Sequence, residues 1–432
     1  MIGSKSRFSN PFRHVIVQNV LSLYGVQVVG YVVSLFTVPY LARVLGAAGW
    51  GLVAFAQAFG SYVILVGEYG FSLSATREVA HHRDNREKLT EIFAGVLGAK
   101  TLLAAASLLL ALIVRWCVPV FREHPTILWA GMFWALAQVF NMMWFFQGFE
   151  RFRLVAAIDI TAKIMATIGI LVLVRRPEDG GRLLIVQGCG FLLSSAVILG
   201  LAYRKLPVRL PKLSSTCEAL RMGWSMFLFR GSVSLYTVGN AFILGLFVSP
   251  QLVGYYAGAE RISGAFIRLF GPVSQTLYPR LSHLVWHARI RAARLARIGV
   301  LIMGGGGVAI GVLVFVLAPL LVRIILGPNF GPAVPVLRVL SLLIPFVGIN
   351  YALGMQWMLP LRLDRVFNTI VLLGGLINIS LATALATSYK GVGMACAVVT
   401  AEVFVGASMY LVLSSRNLNP LSYPPKDEPG IA

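Results

Sequence analysis

The stretch FLFRGSVSLYTVGNAF (Phe227–Phe242) sets one arginine, Arg230, inside a run otherwise fit for lipid, and the reading of that run decides the fold. In a water-soluble protein Arg230 would be an ordinary surface residue. The rest of the chain excludes that. Of 432 residues 58% are hydrophobic and 12% charged, and the mean hydropathy is +0.80, whereas soluble domains carry about 25% charged residues. Such a chain cannot cover a water-facing surface. Apolar runs of the roughly 20 residues that cross a bilayer as helix recur along the whole length, and none of the long runs ends in a small-residue cleavage site. The composition therefore predicts an all-α polytopic membrane protein whose first span is kept as an anchor.

Working outward from Phe227–Phe242, hydropathy and loop signals place spans at roughly 15–40, 49–71, 90–114, 126–147, 154–174, 183–203, 220–246, 252–281, 297–320, 334–358, 366–388 and 391–413. The seventh and eighth of these twelve carry the most polar residues. Of the 37 Lys and Arg, 23 fall in loops on the side that holds both termini and eight in loops on the other side, and this asymmetry over short loops puts both termini in the cytoplasm. The net charge of +21 is thus spread between spans, not gathered on one soluble face as in a nucleic-acid binder. The basic segment HLVWHARIRAARLAR (His283–Arg297) reads as a cytoplasmic loop resting on anionic headgroups. Cys117, Cys189, Cys217 and Cys396 lie in different segments without metal spacing, so neither zinc nor a disulfide framework is expected.

Six basic residues remain within spans: Lys100, Lys163, Arg230, Arg261, Arg268 and Arg338. Four acids share their depth: Glu68, Asp159, Glu260 and Glu402. A charge placed there costs roughly 2.5–3.5 kcal/mol on insertion scales and faces a bundle interior or a wet cavity. Asp159 and Lys163, four apart, can pair on one helix, and Glu68 and Arg338 lie near enough to span ends to snorkel. Arg230, Ser234, Thr237 and Asn240 follow helical spacing and make one polar stripe, as do Asn19, Gln27, Gly30, Ser34 and Thr37 in the first span. Lipid offers such a stripe no hydrogen bonds, so it must turn inward. Arg261 and Arg268, seven apart, share a face of the eighth span about 10 Å apart along the axis. Together they predict a positive cavity near the midplane, suited to an anion; the arginine fork fits phosphate. Lys100, Lys163, Asn240, Asn19 and Gln27 join Arg230, Arg261 and Arg268 as candidate cargo contacts. Asp159, Glu260, Glu68 and Glu402 are candidates for coupling transport to an ion.

The segment VLGAAGWGLVAFA (Val44–Ala56) precedes FVSPQLVGYYAGA (Phe247–Ala259) by 203 residues, matching Gly51 with Gly254, Ala54 with Ala257 and Ala56 with Ala259. One segment joins spans one and two, the other spans seven and eight. That fits two six-helix halves in the same orientation.

Several stretches carry a family resemblance: VPYLARVLGAAGWGLVAFAQAFGSY (Val38–Tyr62), YGFSLSATREVA (Tyr69–Ala80), WFFQGFERF (Trp144–Phe152), SVSLYTVGNAFILGLFV (Ser232–Val248), VGYYAGAERI (Val253–Ile262) and PVSQTLYPRLS (Pro272–Ser282). They resemble the bacterial polysaccharide-transport family, which holds the O-antigen and exopolysaccharide repeat-unit flippases, in the superfamily of the multidrug and toxin exporters and lipid II flippases. Past about residue 300 only hydropathy carries the likeness. The resemblance implies a transporter and not an enzyme, with a lobe over residues 1–207 and another over 208–432, opening alternately to cytoplasm and periplasm in the inner membrane. It implies an undecaprenyl-pyrophosphate-linked oligosaccharide as cargo, a proton or sodium gradient in place of any cofactor, and a polysaccharide polymerase and chain-length regulator as partners. Arg230 and Arg261 fall where these flippases often place a basic residue; Arg268 rests on spacing alone. A multidrug exporter on the same fold would call for acidic walls, against six basic and four acidic residues here. A membrane glycosyltransferase or polymerase would need a sizeable external loop bearing catalytic groups, and the external loops are short.

Overall fold

Glycine and proline punctuate the apolar runs into helices, and the computed structural model describes residues 11–150 and 152–422, with side chains except at 11–29, 31, 32, 34, 35, 152, 229, 232, 233 and 235–237. Among these residues there is no strand. The first half of the chain gives α1 (Pro11–Glu68), α2 (Phe71–His81), α3 (Arg86–Cys117), α4 (Pro119–Glu123), α5 (Pro125–Val139), α6 (Met143–Gly148), α7 (Phe152–Leu173) and α8 (Gly180–Tyr203). The second gives α9 (Leu213–Thr237), α10 (Asn240–Gly245), α11 (Pro250–Ile267), α12 (Phe270–His287), α13 (Arg289–Val300), α14 (Gly306–Ile325), α15 (Ala333–Ser341), α16 (Leu343–Asn350) and α17 (Asp364–Ser415). Two π-helical pieces, Leu301–Gly305 and Tyr351–Met358, join α13 to α14 and extend α16.

Where the sequence predicts two spans, the chain sometimes runs on with a kink. α1 turns at Gly46 (φ 63°, ψ −179°), between the expected first and second spans. α17 turns at Lys390 (φ 52°, ψ −131°), between the expected eleventh and twelfth. The two polar spans differ from expectation in the opposite way. The seventh is cut after Thr237, and Gly239 caps the short α10. The eighth is cut near Arg268, because Pro272 has no N–H to offer the Arg268 carbonyl, which accepts from Gly271 instead. Eight helical stretches among the described residues are long and apolar enough to cross a membrane, and the chain is an all-α polytopic membrane protein.

Contacts divide the chain into two units. Among the described residues, one holds 11–40 and 60–228; the other holds Leu41–Phe59 and 229–422. In the first, α5 packs on α8, α8 on α7, and α2 on α6, around an aromatic core that includes Phe71, Phe93, Trp144, Phe145 and Phe146. In the second, α14, α15, α16 and α17 pack together with α11, and Leu281, Trp357, Phe367, Val405 and Met409 form one core cluster. Large apolar side chains also point outward, such as Leu109 and Ile113 on α3 and Val312, Val316 and Ile324 on α14. Contiguous apolar surface of this kind is what lipid covers.

Candidate functional site

Within the second unit, three helices bring polar side chains into an otherwise apolar interior. Asn240 opens α10, Tyr256 and Glu260 stand one turn apart on α11, and Asn378 interrupts the apolar run of α17. Asn240 is 3% exposed, and Tyr256 and Asn378 are fully buried. The Tyr256 hydroxyl donates to Glu260 Oε1 at 3.1 Å, and Asn240 Nδ2 reaches the same oxygen at 3.5 Å. Asn378 Nδ2 donates to Asn240 Oδ1 at 3.0 Å, fixing which way that amide points. The chain of donors runs Asn378 to Asn240 to Glu260, with Tyr256 alongside. Its chemistry is that of a carboxylate held by neutral donors, able to take up a proton or a small cation where an unpaired charge would be costly.

Arg261 follows Glu260 and is exposed, as is Arg268 at the end of α11. The two guanidinium groups are close enough to repel each other, and Glu260 is close enough to attract Arg261. The sequence expects both on one face of the eighth span; the helix ends at Ile267 with Arg268 as its cap. Arg230 is half-buried on α9. The expected stripe of Arg230, Ser234, Thr237 and Asn240 does not continue as one helix. The break at Val238–Gly239 gives Asn240 to α10, where its side chain serves Glu260 and Asn378. The side chains of Asn19, Gln27, Ser34 and Thr237 lie outside the described residues.

The other candidate residues are engaged elsewhere. Lys100 is 1% exposed, and its ammonium donates to the carbonyls of Val139 at 2.6 Å and Asn141 at 3.0 Å, with Glu68 in electrostatic reach. It fastens the end of α5 at the break before α6, where helix carbonyls lack intrahelical donors. Glu68 is half-buried at the end of α1. Asp159, buried on α7, pairs with Lys163 at 2.7 Å. Glu402 on α17 accepts from Asn350 Nδ2 through both its carboxylate and its backbone carbonyl. Arg338 is exposed and lies over the Phe315 ring, 5.4 Å from its centroid.

Tyr256, Asn378 and Asn350 are absent from the sequence-derived set. Ionisable side chains and polar stripes are the signals that pick out the others. An amide standing alone in a long apolar run, as Asn378 does in LLGGLINISLA (Leu372–Ala382), carries the same signal, since a buried amide must find a partner.

The family described as polysaccharide biosynthesis protein matches residues 16–285. Putative O-antigen transporters of Escherichia coli (strain K12) and Shigella dysenteriae are each 28% identical to the chain. The alignments cover 93% and 90% of this chain, respectively, and 97% of each relative. Among solved structures the fold is similar to lipid II flippase MurJ in an inward closed conformation (TM-score 0.68, 13% identity, 92% of this chain and 87% of that one). It is also similar to an inward-facing multidrug resistance MATE family transporter (TM-score 0.60, 15% identity, 91% of this chain and 96% of that one).

Proposed function

The chain belongs to the polysaccharide biosynthesis protein family, and from that membership we propose that it is a flippase carrying undecaprenyl-pyrophosphate-linked oligosaccharide repeat units across the inner membrane. The whole-length likeness to putative O-antigen transporters supports a transporter and not an enzyme. The observation that carries the reading is the juxtaposition on α11 of an amide- and tyrosine-held carboxylate, Glu260, with two exposed arginines, Arg261 and Arg268.

In this reading Arg230, Arg261 and Arg268 take the pyrophosphate, for which charge-assisted bidentate hydrogen bonds are suited, and the polyprenyl tail stays in lipid. Glu260 exchanges the coupling ion, proton or sodium, as its hydrogen-bond set changes between two states of similar energy. Asp159 and Lys163 neutralise one another, and Lys100 holds α5 to α6. Both termini face the cytoplasm, the six-helix halves 1–207 and 208–432 act as lobes, and a polymerase and chain-length regulator receive the product. The excess of basic over acidic groups at span depth favours an anionic cargo over the cationic drugs of a multidrug exporter.

The test uses a strain lacking its own repeat-unit flippase. Surface polysaccharide is scored with the wild type, Arg230→Ala and Arg230→Lys at matched membrane abundance. Loss with alanine and partial rescue with lysine is the expected result. Full export by Arg230→Ala would remove Arg230 from the anion site.

A further inference from the structure

The link between α8 and α9 carries the most exposed large apolar side chains among the described residues. Val208 is 75% exposed, Leu210 83% and Leu213 77%, more than any on the outward faces of the long helices. The segment RKLPVRLPKL (Arg204–Leu213) follows the end of α8 at Tyr203, and neither helix nor turn forms from 207 to 212. Pro207 and Pro211 hold it open, since each fixes its own φ and turns the residue before it toward extended backbone. Just before it, Leu206 is buried in the aromatic core of the first unit. α3 shows how deep the segment lies. The apolar run of α3 is bracketed by Glu91 and Arg115, about 36 Å of helix and enough to cross the hydrocarbon core. Arg209 reaches Glu87 at 3.9 Å, and Glu218 reaches Lys88 at 3.7 Å; both acids are mostly exposed, which sets these two points at the aqueous end of α3. Between them the chain climbs. A methyl built on Gly98 would lie 2.7 Å from Pro211 Cβ, and one on Gly95 would lie 2.6 Å from the Ser215 carbonyl oxygen. Gly98 stands seven residues past Glu91, about 10 Å along the axis. The segment dips to that depth and returns, with Arg209 and Pro211 turned to α3 and Val208 and Leu210 turned away.

We propose that this segment is an interfacial anchor whose partner is the lipid at the boundary of headgroups and acyl chains. Val208, Leu210 and Leu213 insert at that boundary, at the roughly 5–10 Å depth where interfacial elements bury their apolar side chains. Arg204 and Lys212, both exposed, extend their charged ends back to the headgroup phosphates. Backbone outside a helix is tolerated at this depth because it lies against α3 at the margin of the hydrocarbon, and Pro207 and Pro211 remove two of its N–H donors. The proposal rests on α3 crossing the membrane and on no assignment of cargo or sidedness. A connection between two expected spans is thereby seated in lipid and is not a free tether in water.

The experiment uses the full chain with its four cysteines replaced, carrying one nitrobenzoxadiazole-labelled thiol, in vesicles of phosphatidylethanolamine and phosphatidylglycerol. The thiol is Leu210→Cys, with Asp84→Cys, exposed between α2 and α3, as the aqueous reference and Leu102→Cys, exposed in the middle of α3, as the deep one. The label at 210 should be quenched several-fold more by lipid spin-labelled near its carbonyl than by lipid spin-labelled near its chain end, with the reverse order at 102. Quenching at 210 by aqueous iodide to the extent seen at 84, without quenching by either lipid, overturns the anchor. Shielding from both iodide and lipid overturns it too, because protein, a second copy included, then covers the segment. A second arm guards against insertion driven by the label itself: Leu213→Cys is labelled in the presence of Val208→Asn and Leu210→Asn. Lipid quenching at 213 should fall several-fold while quenching at 102 in the same background stays as it was. Unchanged quenching at 213 would mean that Val208 and Leu210 do not seat the segment, and the proposal falls.

Discussion

Tyr256 shows what one hydroxyl can decide in an apolar interior. Its partner, Glu260 Oε1, also receives the Asn240 amide, and that amide is oriented by Asn378. A hydrogen bond to a charged group contributes about 1.5–3 kcal/mol, so Tyr256→Phe should lower the thermal unfolding midpoint of the purified protein. If the hydroxyl acts through the carboxylate, the loss should shrink when Glu260→Gln is already in place, because contacting residues are energetically coupled. A double-mutant cycle measures this. Equal losses in both backgrounds would show that Tyr256 stabilises by packing alone. The contrast with Lys100 is instructive. A basic residue alone in a span reads from sequence as a candidate for cargo, yet its ammonium is occupied by two carbonyls at a helix end. No one-dimensional pattern reveals that, because the carbonyls are freed by a break some forty residues further along the chain.

At the scale of elements, the two kinks of the long helices ask opposite things of their residues. Gly46 has φ 63° and ψ −179°, a region open in practice to glycine. Lys390 has φ 52° and ψ −131°, and carries a side chain in a conformation that disfavours one. Strained backbone of this kind costs of order 1–3 kcal/mol. Gly46→Ala should therefore destabilise by about that amount, while Lys390→Gly should leave the fold intact and raise the unfolding midpoint; thermal unfolding in one detergent checks both. A stabilising Gly46→Ala would mean that the backbone there relaxes freely. Both kinks fall in the gaps that hydropathy left between expected spans, so their position was legible in the sequence. The breaks inside the seventh and eighth expected spans were not. There polar residues are scattered through the run and the helices on either side of the breaks are not among the eight apolar enough to cross a membrane, so only Gly239 and Pro272 mark the breaks. Asn240, Tyr256 and Glu260 of those two spans, joined by Asn378 of α17, build the Glu260 network.

For the whole molecule, the class of fold follows from having too few charges to face water: a path through lipid needs closed backbone hydrogen bonding, helix or closed barrel, and the recurring apolar runs of roughly 20 residues select helix. The proposed sense of insertion, with both termini inside, rests on the Lys and Arg asymmetry, and the native cysteines offer a direct test of it. Cys117 is exposed at the last residue of α3 and Cys217 is exposed near the start of α9. Between them lie the expected fourth, fifth and sixth spans, an odd number of crossings, so the two thiols must face opposite sides. With both termini inside, Cys117 faces out and Cys217 faces in. Cys189 is exposed too, but it sits within α8, in the expected sixth span, and maleimide needs the hydrated thiolate. In single-cysteine variants an impermeant maleimide added from outside should label Cys117 and spare Cys189 and Cys217. In inverted vesicles Cys217 alone of the three should react. Labelling of Cys117 and Cys217 from the same side would mean that one of the three spans fails to cross. Reversed sidedness for both would leave the fold as it is and place both termini on the outer side.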